Sequence, residues 1–188
     1  MSRSIQFWRI GRVGSFALAF FTLLAFAGIG SDITKAQDSF DDPEGKYTLK
    51  LPTGWISIVN QDKLTGKTDF LIVHGIRENG ALKISTMEVD AKAEMLNVAA
   101  KHEQESLRFL SGYTKGRIEN FVVGVGQRNG ALVSYDFKNT AGQPQVGRTY
   151  LLRVNDTTVY VLRFTGRSTA LGSLRNQTDM IARSFRLK

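Results

Sequence analysis

After residue 46 the chain alternates apolar and polar residues in short segments, and this alternation predicts a protein built mainly of β-strands. Residues 47–51 (YTLKL) alternate with a period of two, which is typical of a half-buried strand. Pro52 has no backbone N–H to donate to a sheet and Gly54 frees the backbone, so we expect the strand to turn there and place Trp55 in the core. Seven further segments show strand character: residues 56–59, 70–77, 82–89, 117–125, 131–138, 148–154 and 158–164.

Two segments instead show the spacing of amphipathic helices. Asp90 can cap a first helix over residues 91–110, and Gly112 ends it. The apolar side of this helix is predicted to comprise Met95, Leu96, Val98, Ala99, Leu107, Phe109 and Leu110. Its solvent side is predicted to comprise Lys92, Glu94, Lys101, Glu103 and Arg108. A second helix is predicted from Ser168, with helical spacing of Leu171, Leu174, Thr178 and Ile181.

Two strands near the end of the chain indicate how these elements are layered. The segments TYLLRV (residues 149–154) and TVYVLRF (residues 158–164) carry large apolar side chains at both alternating positions. An antiparallel sheet usually keeps one face in water, so strands that are apolar on both faces indicate that both faces are covered. The sequence therefore predicts an α+β fold, an antiparallel β-sheet with helices on both faces (an α/β/α sandwich), in the order β-β-β-β-α-β-β-β-β-α.

The N-terminal residues differ in kind from the rest of the chain. Three arginines precede an uncharged apolar run over residues 13–31, and small residues follow at Thr34 and Ala36. This order predicts a secretory signal peptide over residues 1–36, cleaved near Ala36, which makes the remainder extracytoplasmic, either in the bacterial periplasm or secreted. A retained membrane anchor is the alternative, because about 18 apolar residues lie near the lower limit for spanning a bilayer.

The remainder of the chain has the size and composition of one ordinary domain. Residues 37–46 form a polar, acidic leader, and residues 47–188 are long enough to bury a core without cross-links. The chain has no cysteine, which excludes disulfides, cysteine-type metal sites and a lipid anchor on cysteine. The net charge of +8 falls to +5 without residues 1–36, which carry four basic residues and one acidic residue. This mild excess favours anionic surfaces but identifies no partner, and without an aromatic-basic strand motif nucleic acid is not expected.

The two histidines do not form a catalytic or zinc-binding constellation. His102 and Glu103 resemble the start of the metalloprotease helix motif, but Ser106 stands where the second histidine is required. We therefore expect His102 to be a surface or boundary residue of its helix. His74 follows Asp69 by five residues, a spacing that puts the two on opposite faces of a regular strand, so a catalytic pair would need a bulge.

Two further motifs also have simpler explanations. The glycines of residues 124–130 (GVGQRNG) do not match the dinucleotide-binding spacing and no helix pattern follows them, so a hairpin connection is predicted. Asp38, Asp41, Asp42 and Glu44 offer oxygen ligands for calcium, but they lack the glycine and terminal glutamate of the hand-type loop. A solvated leader is the interpretation that we prefer. No catalytic, cofactor-binding or metal-binding residue is predicted.

Three arginines form the one candidate binding patch. If residues 155 and 156 make a two-residue hairpin loop, Arg148 lies directly opposite Arg163, and Arg167 adds to the same patch. Like charges opposed on a sheet are unfavourable unless something neutralises them, so an anionic partner would suit this patch. The alternative is that these side chains lay their stems on the core and point their charges to water.

The order of the elements resembles a known family. The strand YTLKLP, the corner TGW, a central helix, the strand VYVLRFTG and a closing helix with IARSFRLK together resemble the PsbP-like family over residues 40–188. Its founding member is an extrinsic subunit of the photosystem II oxygen-evolving complex, implicated in retaining calcium and chloride, and its relatives include bacterial DcrB-type envelope proteins. The resemblance implies an α/β/α sandwich, and it alone suggests calcium as a cofactor.

The resemblance also implies a function. It implies a noncatalytic exported protein that acts as a binding or assembly subunit of an envelope or membrane-associated complex, with a protein partner that the sequence does not identify. A bacterial envelope relative is expected, because cyanobacterial relatives are commonly anchored through a cysteine that this chain lacks. Two alternatives remain: a module that binds phospholipid or another polyanion, and a small extracytoplasmic enzyme whose site is assembled from scattered residues. Contact with a membrane is expected only through an uncleaved N-terminal segment.

Overall fold

A computed structural model describes residues 39–61, 68–123 and 128–188 of the chain. The strands are β1 (Ser39–Asp41), β2 (Tyr47–Lys50), β3 (Trp55–Gln61), β4 (Thr68–His74), β5 (Ala81–Glu88), β6 (Thr114–Val123), β7 (Arg128–Lys138), β8 (Pro144–Arg153), β9 (Thr158–Arg167) and β10 (Arg186–Leu187). The helices are α1 (Met95–His102), α2 (Ser168–Ser173) and α3 (Arg175–Ser184). A single π-helical turn, Glu103–Leu107, continues α1. The predicted signal peptide, including its cleavage site near Ala36, lies outside the described residues.

The described strands form two antiparallel sheets. The main sheet has seven strands in the order β3-β4-β5-β9-β8-β7-β6, and a small sheet has the order β1-β2-β10. Four long strands, β6 to β9, are consecutive in the chain and lie side by side in the main sheet. Every pair of neighbours in both sheets is antiparallel.

Helices pack on both faces of the main sheet, as the two-sided apolar strands predict. On β8, Leu151 packs in a cluster with Met95, Val98 and Ala99 of α1. Its neighbour Tyr150 packs in a different cluster, with Leu171 of α2, Ile181 of α3 and Leu174 between these two helices. Successive residues of a strand point to opposite faces, so α1 covers one face and α2 and α3 cover the other. The predicted α+β class, with a helical layer on each side, is confirmed.

The small sheet lies in the layer of α2 and α3. Phe40, Tyr47 and Leu49 belong to the same buried cluster as Phe185, which follows α3. Tyr47 stacks on Phe185 with ring centroids 5.4 Å apart. The segment YTLKL is therefore a strand, as its pattern predicts, but it does not enter the main sheet.

Three predictions about elements are wrong. Ser39–Asp41, inside the predicted loose leader, pairs with β2 as strand β1. The predicted helix 91–110 is regular only over Met95–His102 and then widens into the π-turn. The predicted closing helix is interrupted at Leu174, which separates α2 from α3.

Candidate functional site

A groove lies between α2 and the strands β6, β7 and β8, with a volume of about 500 Å³. We call it the arginine groove because three arginines from three elements line it: Arg117 from β6, Arg148 from β8 and Arg175 from α3. Its other lining side chains include Ser134, Asp136, Glu119, Ser168 and Leu171. The volume falls within the range of typical ligand-binding clefts.

Local backbone features open the groove. The register of β6 against β7 shifts between Lys115 and Ile118, so Gly116 and Arg117 lie at a β-bulge in the edge strand. Gly172 stands on α2 where a Cβ would meet nothing within 4 Å. The irregular strand and the missing side chain leave space between the helix and the sheet.

Arg148 is held in a network that ties β8 to α3. Its Nη2 donates to Asp179 Oδ1 at 2.8 Å, and its Nε donates to Tyr150 Oη at 3.1 Å and to Thr178 Oγ1 at 3.2 Å. The Tyr150 hydroxyl also donates to Asp179. The Arg148 side chain is 13% exposed and that of Asp179 is 35% exposed. Burial raises the pKa of the Tyr150 phenol, which keeps it protonated as a donor.

The other two arginines are less restrained. Arg117 approaches Glu119 at 3.7 Å, and its side chain is 83% exposed, so this ion pair contributes little. Arg175 is exposed and has no ion pair within the described parts of the chain. It occupies the first position of α3, which has no acidic residue in its first turn and no side-chain cap. A cation is unfavourable there because the helix dipole is positive at its N-terminus.

The predicted patch of Arg148, Arg163 and Arg167 is not one surface. Arg148 lies opposite Phe164, and Arg163 lies opposite Thr149. The register differs by one residue from the prediction because the hairpin loop has three residues, with the Asn155 side chain accepting the N–H groups of Thr157 and Thr158. The predicted opposition of Arg148 and Arg163 is therefore wrong.

The three arginines also face different surroundings. Arg148 contacts α3, whereas Arg163 approaches His102 of α1 on the opposite face of the sheet. Arg167 is exposed where β9 runs into α2, and its backbone N–H bonds the Glu78 carbonyl. Only Arg148 belongs to the arginine groove. Arg117 and Arg175 were not singled out from the sequence, where no local pattern marks them.

A second polar cluster lies under the π-turn, on the face covered by α1. Glu103 is 5% exposed, although the sequence predicted it on the solvent side of its helix. It accepts a hydrogen bond from the Tyr113 hydroxyl at 2.8 Å and pairs with Lys115 at 3.3 Å. Because the π-turn holds more residues per turn than an α-helix, side chains beyond His102 rotate relative to the α-helical pattern. The same rotation turns Phe109 toward solvent: the sequence predicted it on the apolar side of the helix, but it is 77% exposed.

His102 is buried, which corrects the expectation of a surface or boundary residue. It is 8% exposed and its Nε2 lies 3.4 Å from Arg163 Nη2. Burial, with a smaller effect of the Arg163 charge, lowers the pKa of His102 to about 4. The imidazole is therefore neutral at pH 7 and accepts from Arg163.

This shift predicts a pH-dependent stability. The unfolded chain binds a proton at His102 near the ordinary pKa of 6.5, whereas the folded protein binds it only near pH 4. Stability is therefore fully present above about pH 6.5 and is lost as the pH falls toward 4, by about 2 kcal/mol between pH 7 and pH 5. Denaturant unfolding across this range checks the prediction. His102→Gln should remove this part of the pH dependence, and an unchanged slope in that variant would contradict it.

His74 and Asp69 do not form a pair across the strand. β4 pairs with β3 without a bulge from Thr68 to His74, so residues 69 and 74 stay on opposite faces, as the spacing predicts. The His74 ring packs edge-on against Trp55, with centroids 5.6 Å apart. A Cβ on Gly54 would lie 2.5 Å from His74 Nε2, so this histidine is packed into the corner of the TGW segment.

The acidic residues proposed for calcium do not fit a calcium site where the structure describes them. Asp41 pairs with Lys188 at 2.8 Å, and that hydrogen bond and charge hold the pKa of the carboxyl below its usual value. Asp42 accepts the Lys46 N–H, and Glu44 pairs with the Lys46 side chain. Within residues 39–61, 68–123 and 128–188, no three acidic or histidine side chains converge on one point. Asp38 lies outside this range.

The strands on either side of the segment for which a hairpin connection is predicted, residues 124–130, are paired. β6 and β7 are antiparallel partners, with Val123 opposite Arg128 and Phe121 opposite Gly130. Residues 124–127 lie outside the described part of the chain. None of the helices that the structure describes is long and apolar enough to cross a membrane.

Several solved structures share this fold at low sequence identity. The cyanobacterial PsbP (CyanoP) of Synechocystis sp. PCC 6803 is 12% identical, with a TM-score of 0.52, over 88% of this chain and 99% of that protein. LpqN of Mycobacterium tuberculosis, involved in cell envelope biogenesis, is 8% identical, with a TM-score of 0.53, over 80% of this chain and 89% of that protein. The Ran-binding protein Mog1p of Saccharomyces cerevisiae is 11% identical, with a TM-score of 0.53, over 85% of this chain and 96% of that protein.

These similarities confirm the PsbP-like fold that the element order predicts. A further similar structure, from Bacteroides thetaiotaomicron, is 14% identical with a TM-score of 0.50, and this chain, matched over 82% of its own length, spans about half (49%) of that one. No protein-family model and no curated protein sequence matches the chain. The similarity thus establishes the fold, and the function has to be argued from the surfaces of this chain.

Proposed function

We propose that this protein is an exported, noncatalytic binding or assembly subunit of an envelope complex, and that the arginine groove receives a carboxylate-bearing segment of its protein partner. The observation that carries the proposal is Arg175, an exposed cation that lines a concave groove and is placed against the helix dipole. An acidic side chain in the groove would relieve this unfavourable placement. Arg117 and Arg148 add two more donors of the kind that pairs well with carboxylates.

The internal hydrogen bonds of the groove support binding rather than catalysis. Arg148, Tyr150 and Asp179 are bonded to one another and fix α3 on the sheet. Tyr150 keeps its proton because burial raises its pKa, so it is not available as a base. Glu119 and Asp136 also line the groove, so a partner segment that carries both signs of charge would match it. A rigid, mixed-charge groove of this kind provides orientation and specificity more than affinity.

Comparison with other proteins supports the same class of function. LpqN takes part in cell envelope biogenesis and Mog1p binds Ran, and both share the fold of this chain. The signal peptide predicted over residues 1–36 would deliver the chain to the envelope. A noncatalytic role agrees with the contacts of the two histidines. The His74 ring packs against Trp55, and His102 accepts a hydrogen bond from Arg163, so both have a structural role.

The alternative function, a module for phospholipid or another polyanion, has its support in a second groove of about 690 Å³. Lys50, Arg183 and Arg186 line it, and among its described lining residues none is acidic. All three lie beside the C-terminal end of α3, where cations stabilise the helix dipole, so helix stability accounts for them without a ligand. Arg175 has no such explanation, and we therefore prefer the arginine groove.

Charge reversal in the groove tests the proposal. The Arg175→Glu variant should lose most of its partner, by about tenfold or more in captured amount, because a close charge pair is replaced by repulsion. The measurement is affinity capture of the tagged full-length protein from its native membrane fraction, with quantitative mass spectrometry of the bound proteins.

A matched control separates the groove from overall charge. Lys92→Glu makes the same change of charge at an exposed position beside α1, on the other face of the sheet. We expect this variant to capture the partner as the unchanged protein does. Equal loss in both variants, or no partner captured reproducibly by the unchanged protein, would contradict the proposal.

A further inference from the structure

A cluster of polar residues on the α1 face of the sheet carries two positive charges without an acidic partner among the described residues. It also contains two buried hydroxyl groups that have no hydrogen-bonding partner there. We call it the Arg163 cluster, and it comprises Lys83, His102, Tyr135, Thr149 and Arg163. Arg163 of β9 lies directly opposite Lys83 of β5 on one side and Thr149 of β8 on the other. Directly paired residues of antiparallel strands share a face, so the three side chains stand in one row.

The two cations in this row face each other without an acidic partner. Like charges directly opposite one another on a sheet are destabilising. Among the described residues neither Lys83 nor Arg163 makes an ion pair, and the side-chain partner of Arg163 is the neutral imidazole of His102. The neighbouring acid, Glu103, is bonded to Tyr113 and Lys115. This arrangement leaves an unbalanced positive charge at the end of α1.

Two buried hydroxyl groups adjoin the same charge. Thr149 is fully buried and Tyr135 is 2% exposed, yet neither Thr149 Oγ1 nor Tyr135 Oη has a hydrogen-bonding partner in the described parts of the chain. Buried hydroxyls are normally hydrogen-bonded, because an unpaired polar group in the interior destabilises the folded state. Burial raises the pKa of Tyr135, while the nearby Thr149 hydroxyl and the Arg163 charge lower it. The hydroxyls of Thr149 and Tyr135 are therefore close to each other, but they lack the geometry of a hydrogen bond.

Gly147 explains how the phenol reaches this position. Gly147 pairs with Tyr135 across β7 and β8, and a Cβ on Gly147 would lie 2.1 Å from Tyr135 Cζ and 2.5 Å from its Oη. The phenol end of the ring therefore lies directly over Gly147 of β8. Thr165, the next residue on this face of β9 after Arg163, pairs with Gly147.

We propose that the Arg163 cluster binds a small oxyanion, held between the Arg163 guanidinium and the hydroxyls of Tyr135 and Thr149, with Lys83 at its open side. Each of these groups can donate to an anionic oxygen, and Arg163 and Lys83 supply the charge that such a ligand balances. Lys83 is exposed and Arg163 is half-buried, so the site opens to solvent between β5 and the end of α1. Lys83, Thr149 and Arg163 do not line the arginine groove, and the proposal does not depend on the proposed function.

Unfolding in different salts tests the proposal. The full-length protein is unfolded by heat in sodium phosphate, sodium sulfate or sodium acetate, and in sodium chloride at equal ionic strength. An oxyanion that binds the folded state should raise the midpoint with the logarithm of its concentration. A rise with phosphate and sulfate assigns a tetrahedral ligand, whereas a rise with acetate alone assigns a carboxylate such as a partner's side chain.

Variants separate binding from the general stabilising effect of these salts. Arg163→Gln should raise the anion concentration that gives half of the maximal stabilisation about tenfold, because a charge-assisted hydrogen bond to the anion is lost. Arg167→Gln, the same change at an exposed residue of the same strand, should retain it. Thr149→Val should weaken the anion dependence without lowering the midpoint in chloride, because it removes a hydroxyl that has no partner there.

An NMR titration provides a second measurement that does not depend on stability. The chain has two histidines, so their imidazole signals are readily assigned. The oxyanion that raises the unfolding midpoint should shift the signal of His102, which contacts Arg163, and leave that of His74 in place. An anion dependence that is equal in the unchanged protein and in Arg163→Gln, or no selective shift of His102, would overturn the proposal.

Discussion

Replacing Trp55 with alanine is expected to lower the free energy of unfolding by about 3–5 kcal/mol, the range typical for loss of a large buried aromatic side chain. Trp55 is 1% exposed. Its ring meets Phe164 of β9 edge-on, with centroids 5.6 Å apart, and its Nε1 donates to Gln177 of α3 at 2.8 Å. The residue thus joins the edge strand β3, the centre of the main sheet and the closing helix.

Chemical denaturation followed by circular dichroism measures this loss. Trp55→Phe should cost less than Trp55→Ala, because it keeps most of the apolar contact and gives up the hydrogen bond to Gln177. Phe109→Ala is the control, since its ring is 77% exposed and should change stability by less than about 0.5 kcal/mol. A cost for Trp55→Ala as small as that of the control would show that the core is not organised around this residue.

The second large effect is expected at Arg148. Arg148→Ala should lower the free energy of unfolding by about 3 kcal/mol, at the low end for breaking a buried ion pair, because Asp179 is partly exposed and regains some water. The substitution removes the donor to Asp179 and leaves Tyr150 and Thr178 without the Arg148 Nε. The attachment of α3 to β8 is weakened at the same time.

A double-mutant cycle isolates this contact. Arg148→Ala combined with Asp179→Ala should cost less than the sum of the single substitutions by about 1 kcal/mol or more, because the two residues share one network. Arg117→Ala is the matched control, because this arginine lines the same groove but is 83% exposed and should cost less than about 0.5 kcal/mol. Additive effects of the first pair would mean that Arg148 and Asp179 do not stabilise each other.

The fold class could be predicted from the sequence because it depends on local patterns that repeat. In residues 149–154 and 158–164 the side chains that point to either face of the sheet are apolar. Both faces must therefore be shielded from water, and α1 and α3 shield them. The corner at Pro52 and Gly54 delivers Trp55 to the core as the turn chemistry predicts. These features follow from residues that are close in the chain.

Features that depend on distant partners could not be predicted in the same way. β1 and β10 are too short to carry a pattern, and both exist because they pair with β2. The loop after residue 154 has one residue more than expected because Asn155 caps it, and that single residue moves Arg148 away from Arg163. The π-turn after His102 likewise changes which side chains face the sheet, and nothing in the residue spacing announces it.

The candidate site shows the same division. The sequence singles out Arg148 through its predicted opposition to Arg163, but its partner Asp179 is 31 residues away and only the fold brings them together. Arg117 and Arg175 line the groove through a strand irregularity and a helix boundary, which involve no recognisable motif. The sequence could therefore indicate an arginine of interest without indicating the surface to which it belongs.

Site-specific photo-cross-linking tests the central claim most directly. A photoreactive residue in place of Gly172 would extend into open space in the arginine groove, because a Cβ there meets nothing within 4 Å. The same residue at Lys101, exposed on α1, probes the other face. We predict a discrete cross-linked partner from position 172 in the native envelope and none from position 101. The same product from both positions, or none from position 172, would contradict the account.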